Sequence, residues 1–408
     1  MTTPYEQGYK LGLFYCFCLS MKLKQQPSDF IVEELTTLQV SDEPQAHRVY
    51  QFEKQGLDTF DAIRLLAKKL KIPLFEIGYA GLKDKHSSSR QLVSIPAHFN
   101  VQTMKNHNFS LQPLGYISKK IHIGDLLGNR FTIMVRDVKE QELDDVMKRA
   151  ATIPSCGVPN YFDSQLFGSF IHGVFIAKLL MKKQYEQAVK QYLTAYQKSE
   201  LKSIKNEKRR ILSQWAYLDS LHIVNKTFAG IIQEYRTTKD WCAAYKKIPA
   251  HLREIFMNAY QSYLWNESVK QLLKKQVEKK KLSPVEYAAG SLLFYTDLSD
   301  AEKKSLPETF LTMSDTAQFT DTEQSIVTSV LKKENITFND FGSLSLTGNF
   351  FKSRPRNILV FPEEFTVSEP QKDEINNKSN ALRLKIQISF SLPKGSYATI
   401  VTKRLFGH

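Results

Sequence analysis

An α+β fold carrying an inserted middle domain is what this sequence predicts, from two observations. Short alternating apolar runs fill the first third of the chain and return near its end as Leu382, Leu384, Ile386, Ile388 and Phe390 against Arg383, Lys385, Gln387 and Ser389. Between them, from about Gly157 onwards, the pattern turns to helical spacing. A helical block between two β-rich ends reads as one domain interrupted by an insertion, with boundaries at 1–157 and 367–408 for the outer domain and 158–366 for the insert. A chain of 408 residues, 42% hydrophobic and 24% charged, has the composition of globular proteins and material for two or three such units.

In chain order, Phe30 and Val32 begin one strand, and Tyr50 and Phe52 another. Asp58 or Thr59 then caps a helix in which Phe60, Ile63, Leu66, Ala67 and Leu70 recur at helical spacing, ended by Pro73. A strand over Phe75–Ala80, a polar loop Gly81–Arg90 and a strand Gln91–Pro96 follow. Phe131–Val138 is a further strand, with Phe131, Ile133 and Val135 on one face, Thr132, Met134 and Arg136 on the other, and Asn129 on the face of Phe131. Helices are expected over Phe175–Met181 and Tyr185–Tyr196. The lysine-rich runs Lys202–Arg210 and Lys274–Lys281 read as solvated helix faces, and the polar stretch Ser368–Asn380 as a connector. There is no internal repeat.

Lys and Arg number 56 against 42 Asp and Glu, a formal charge of +14. Such a field attracts polyanions, so nucleic acid is the first partner to consider, although surplus lysine also serves solubility. Cys16, Cys18, Cys156 and Cys242 supply neither a disulfide framework nor paired CxxC units, and a reducing cytoplasm is expected. The apolar stretch Leu11–Leu19 is shorter than a membrane span and reads as a strand or turn, with the Cys16/Cys18 pair in it as strand packing.

By composition alone, Gly81-Leu82-Lys83-Asp84-Lys85-His86 is turn material. The longer run from Ala80 to His86, with Ser89 and Gln91 after it, resembles the catalytic loop of the TruD family of tRNA pseudouridine synthases. Four other segments resemble that family in the same order: Pro27–Glu34, Gly128–Thr132, Val158–Phe162 with Gln165, Phe167 and Gly168, and Leu392–Thr399. Three departures stand out, namely Ser89 for the family's Thr, Leu166 for an Arg, and Tyr397 for a Phe. Within the insert the likeness is patchy, as at Ala259-Tyr260-Gln261-Ser262-Tyr263.

The resemblance implies a pseudouridine synthase fold with a mixed, mainly antiparallel sheet and an inserted α/β domain of TRUD type. It also implies a uridine isomerase acting on tRNA at position 13 of the D arm. Such an isomerisation needs no cofactor, no metal or membrane partner is expected from the cysteine spacing or the apolar stretches, and a monomer is the default expectation. Forming pseudouridine detaches uracil, turns it and rejoins it through carbon, which an ionised carboxylate can assist as nucleophile or base. The matching carboxylate is Asp84. In a pocket closed over a base, Asp84 needs a positive partner. Lys24 is the candidate by its offset from Phe30, the other reading being a strand-edge lysine. Lys83 and Lys85 are expected to flank Asp84 in an extended loop and meet phosphate. By resemblance Phe30, Asn129 and Tyr397 contact the nucleotide and Phe131 packs beside the base, whereas ordinary core packing is the alternative for Phe30 and Phe131. His86 has no required role in this chemistry. An RNA-binding, tRNA-folding protein of the same fold without catalysis is the competing reading. A nuclease or methyltransferase would show carboxylate clusters or a glycine-rich cofactor loop, and the sequence has neither. Binding through phosphates should weaken steeply with salt.

Overall fold

The computed structural model describes residues 21–348, 350–377 and 382–407, so Leu11–Leu19 with Cys16 and Cys18 lies outside the described residues. Two units are present, one of Leu19–Val158 with Val360–Phe406 and one built on Pro159–Leu359.

The first unit is organised by a sheet of β1 (Phe30–Leu35), β2 (His47–Gln55), β3 (Ser88–Pro96), β4 (Phe109–Ile117), β5 (Gly128–Val138), β6 (Glu363–Val367) and β7 (Leu384–Pro393). Their order is β6-β7-β5-β1-β3-β2-β4, with short strands at Met104–Lys105, Gly78–Tyr79 and Gln371–Lys372 added to it. β1 and β3 run parallel and the other pairs antiparallel, so the sheet is mixed and mainly antiparallel. Register sets which side chains meet. Val32 lies opposite Phe131 and Phe131 opposite Phe390, and residues opposed in this way share a face. Gly128 pairs with Pro393, and a Cβ on it would lie 2.1 Å from the Leu392 carbonyl oxygen, so glycine is needed where β5 enters the sheet.

Helix α1 (Thr59–Leu70) starts where expected, the Asp58 carboxylate accepting the Asp61 amide at 2.7 Å. Its Ala62, Ile63, Leu66 and Ala67 pack on Tyr50, Phe52, Val93, Ile95 and Leu111. The expected strand over Phe75–Ala80 shrinks to Gly78–Tyr79, because Leu74–Glu76 forms a 3-10 turn after Pro73 and leaves the Phe75 ring 74% exposed, with nothing to pair against. Arg136, on the face away from Phe131, is only 4% exposed, and its guanidinium meets Asp29 at 2.8 Å, Asp373 at 3.2 Å and Glu374 at 3.0 Å. Hence Ser368–Asn380 is no plain connector: Gln371–Lys372 pairs with β7 and Asp373 is fully buried. Helices α2 (Leu143–Cys156) and α3 (Ala398–Phe406) complete the unit, Arg149 donating to the Leu405 carbonyl.

The second unit is mainly helical. Helices Ile176–Met181 and Tyr185–Thr194 fall where the periodicity puts them, and the 27-residue helix Ala250–Gln276 runs through the core. The Ala259–Tyr263 run is on that helix and is structural. Gln261 donates to the Met313 and Lys352 carbonyls at 2.7 and 2.9 Å, while the Tyr260 and Tyr263 hydroxyls donate to Glu334. Asn160 of the Val158–Phe162 segment is likewise a fastener, held by Arg356 and donating to the Asn357 carbonyl. The lysine-rich helix Lys202–Ser213 is not solvated throughout, since Lys208 turns inward to the Ala195 carbonyl. Among the described residues, no helix is long and apolar enough to cross a membrane.

Candidate active site

The first unit brings Asp84, Lys24, Phe30 and Phe131 into one chain of contacts. The Lys24 ammonium forms an ion pair with the Asp84 carboxylate and sits 4.3 Å from the centre of the Phe30 ring. Phe30 in turn meets Phe131 edge-on, with centroids 6.1 Å apart. Lys24 gets there from a left-handed backbone conformation, φ 58°, a strained geometry for a lysine that its flanks impose. On one side Lys22 exchanges both backbone hydrogen bonds with Arg136 of β5, and on the other Asp29 accepts the Gln26 amide and pairs with the Arg136 guanidinium. The buried Arg136 cluster thus anchors the segment that carries Lys24.

Asp84 keeps 39% of its side chain open to solvent. Its Oδ1 accepts the His86 amide at 3.1 Å, closing a tight side-chain turn. Crowding by protein pushes the carboxyl up, but the Lys24 charge and hydrogen bond, with the His86 amide, outweigh it and hold Asp84 below the ordinary aspartate range. The group is therefore an anion at neutral pH, open on one side.

Three buried side chains fix the backbone under it. Lys54, 2% exposed on β2, donates to the Asp84 carbonyl at 2.9 Å and to the Leu57 carbonyl at 2.7 Å. Burial pulls its ammonium down to about 8, against the stabilising pull of Asp84 and Asp58. Thr59, at the start of α1, accepts the Lys83 amide at 2.7 Å and donates to Gln91, which donates to the Gly81 carbonyl. Lys83 contradicts the expectation of phosphate contact. It is buried and paired with Glu34 at 2.7 Å, because the loop turns this side chain inward beneath Gly81. Lys85 remains exposed.

The other expected residues lie on neighbouring elements. Asn129 stands opposite Glu34 on β5, half-buried, with its side-chain oxygen covered and accepting no hydrogen bond. Tyr397 is half-buried on the turn before α3. Phe30 and Phe131 are 5% and 8% exposed, rings packed in the core.

A model of the family tRNA pseudouridine synthase D (TruD) matches residues 15–405. The chain belongs to the TruD family. Probable tRNA pseudouridine synthase D 1 of Methanococcus maripaludis is similar to it at 38% identity, over 95% of this chain and 99% of that protein. tRNA pseudouridine synthase D of Aquifex aeolicus is 29% identical, over 95% and 98%. A crystal structure of the putative TruD of Methanosarcina mazei superposes with a TM-score of 0.71 over 95% of this chain and 93% of that one, at 22% identity, which shows the shared fold. In this chain, sequence reasoning missed Lys54, Thr59 and Glu34. A signal for two of them was present: Lys54 is a lone lysine on the face of Tyr50 and Phe52, and Glu34 shares the face of Phe30 and Val32, where an ordinary solvated charge would not be placed.

Proposed function

We propose that this chain is a tRNA pseudouridine synthase that isomerises uridine, at position 13 in the D arm, with Asp84 as the essential carboxylate and the cytoplasm as its site of action. The observation that carries the reading is the open, ionised Asp84 paired with Lys24 on a loop braced from below. Pseudouridine formation moves no electrons between molecules and transfers no outside group, so a held carboxylate and a shaped receiver for the base suffice. Lys24 keeps Asp84 charged as the nucleotide displaces water. The Phe30–Phe131 pair supplies an apolar floor, Tyr397 a ring at the margin, and the Asn129 amide, rotated about its last bond, either a donor or an acceptor for the polar edge of uracil. The stacked uridine has to leave its neighbours to arrive there, at about a few kcal/mol.

Tritium release from tRNA labelled at uridine C5 tests this directly, because the new carbon bond expels that hydrogen. Wild type should release tritium and Asp84→Asn should not, while still binding the RNA. Tight binding with no release from any tRNA would overturn the reading in favour of an RNA-folding protein. Mapping the modified base by sequencing tests the position.

A further inference from the structure

Beside the Asp84 loop, three large aliphatic side chains stand in solvent: Leu82 at 68%, Ile123 at 73% and Leu127 at 56% exposure. Scattered exposed leucines are ordinary, but these are gathered by hydrogen bonds. The Gly124 amide donates to the Ala80 carbonyl at 2.9 Å, and the Gly124 carbonyl accepts the Lys394 ammonium at 3.1 Å. The Lys394 amide donates to the Leu127 carbonyl at 3.0 Å. The 122–127 loop is thereby tied on one side to the loop bearing Asp84 and on the other to the turn bearing Tyr397.

The tip of this loop is a hydrogen-bonded turn. Asp125 accepts the His122 amide at 2.8 Å, the Asp125 amide returns to the His122 carbonyl, and Gly124 takes φ 101°, leaving Ile123 at the apex. A turn needing only solubility would place a polar residue there. Leu82 has a related placement: Lys83 is directed inward, so its neighbours Leu82 and Asp84 both face solvent. Exposed Lys85, Lys119 and Lys394 accompany the aliphatic groups, a combination suited to a surface with bases inside and phosphates outside.

We propose that Ile123, with Leu82 and Leu127, forms an aliphatic rim that inserts against the bases stacked on either side of the target uridine, filling the gap left when that nucleotide moves to Asp84. Apolar side chains wedged between base steps are a physical means of holding a nucleic acid unstacked, and the rim would act before chemistry. The inference rests on the proposed uridine isomerase and adds how the base is extracted.

The test uses the full-length chain and tRNA carrying 2-aminopurine next to the mapped uridine. In an Asp84→Asn background, binding should change the 2-aminopurine fluorescence, and adding Ile123→Ser with Leu127→Ser should remove most of that change. With Asp84 intact, the same two rim substitutions should slow tritium release about tenfold at saturating tRNA, while the melting temperature is retained since both sites are exposed. Unaltered fluorescence and unaltered release in the rim variant would overturn the rim while leaving the isomerase standing. Absence of release by wild type would instead remove the isomerase reading, and the fluorescence comparison would still decide whether the rim touches RNA.

Discussion

Lys54→Met separates holding the Asp84 loop from holding the fold. Methionine keeps most of the buried stem but withdraws the donor from the Asp84 and Leu57 carbonyls, at 2.9 and 2.7 Å. The Leu57 carbonyl then becomes a covered acceptor without a partner, at about 1–3 kcal/mol, whereas the Asp84 carbonyl keeps the Ser87 hydroxyl at 2.8 Å. Against this, a lysine whose ammonium is drawn from 10.5 to about 8 carries a burial penalty of about 3 kcal/mol in its charged form, which the substitution relieves. The two effects nearly cancel at neutral pH, so urea denaturation should show a change of no more than about 2 kcal/mol in either direction. The freed loop no longer fixes Asp84, and a displacement of order 1 Å costs up to about a hundredfold. Tritium-release kinetics should therefore give kcat lower by about 10- to 100-fold with KM for tRNA unchanged, as Lys54 is too deep to touch RNA. The pH dependence adds a check with a definite sign. Between about 8 and 10.5 the unfolded chain binds a proton at Lys54 that the folded chain has lost, so wild-type stability relative to Lys54→Met must rise across that window. A kcat within twofold of wild type, or a stability difference flat from pH 7 to 10.5, would refute the reasoning.

Glu34→Gln leaves the buried Lys83 ammonium without its counter-ion and should cost about 3–5 kcal/mol in urea denaturation, whereas Glu34→Leu with Lys83→Met should recover most of that; a single-variant loss below about 1 kcal/mol would show the pair to be solvated. Lys24→Met removes the main influence holding Asp84 down, so the acid limb of kcat should move to higher pH; an unmoved limb would mean that Lys24 does not set the charge of Asp84. Asp373, buried but held to about 2 by the Asn376 amide and the backbone amides of Asp137, Ile375 and Asn376, contributes stability in full above the ordinary 3.8 and loses it as pH falls towards 2. The stability gap between wild type and Asp373→Asn should accordingly narrow from pH 5 to pH 2, and a constant gap would contradict the assignment.

Much of the sheet was legible because alternation and burial agree. Phe131, Ile133 and Val135 are buried as a set, as are Ile386, Ile388 and Phe390, and the cap at Asp58 follows from local chemistry alone. The failures occur where a charged side chain is satisfied by a residue far away in sequence. Arg136 looks solvent-facing by alternation until Asp29, 107 positions before it, and Asp373, 237 positions after it, are brought to it. Phe75–Ala80 failed differently: the 3-10 turn Leu74–Glu76 takes up its start and leaves Phe75 exposed, while Ile77 and Ala80 are buried and only Gly78–Tyr79 pairs as strand.

The candidate site divides along the same line. Asp84 was singled out by its loop motif and Lys24 by its offset, and the two side chains are paired, but the orientation of the loop was misjudged by assuming that Lys83 shares the exposure of Lys85. What decides it is Glu34, a carboxylate on an otherwise apolar strand face that captures Lys83 and so forces Asp84 outward towards Lys24. Charges on core-facing positions of strands next to a polar loop are thus informative in pairs: the buried pair fixes which way the loop turns, and the exposed pair is then left for the substrate. On that logic Lys54 and Glu34 set the placement of Asp84 as much as its own loop does, although both are buried beneath it.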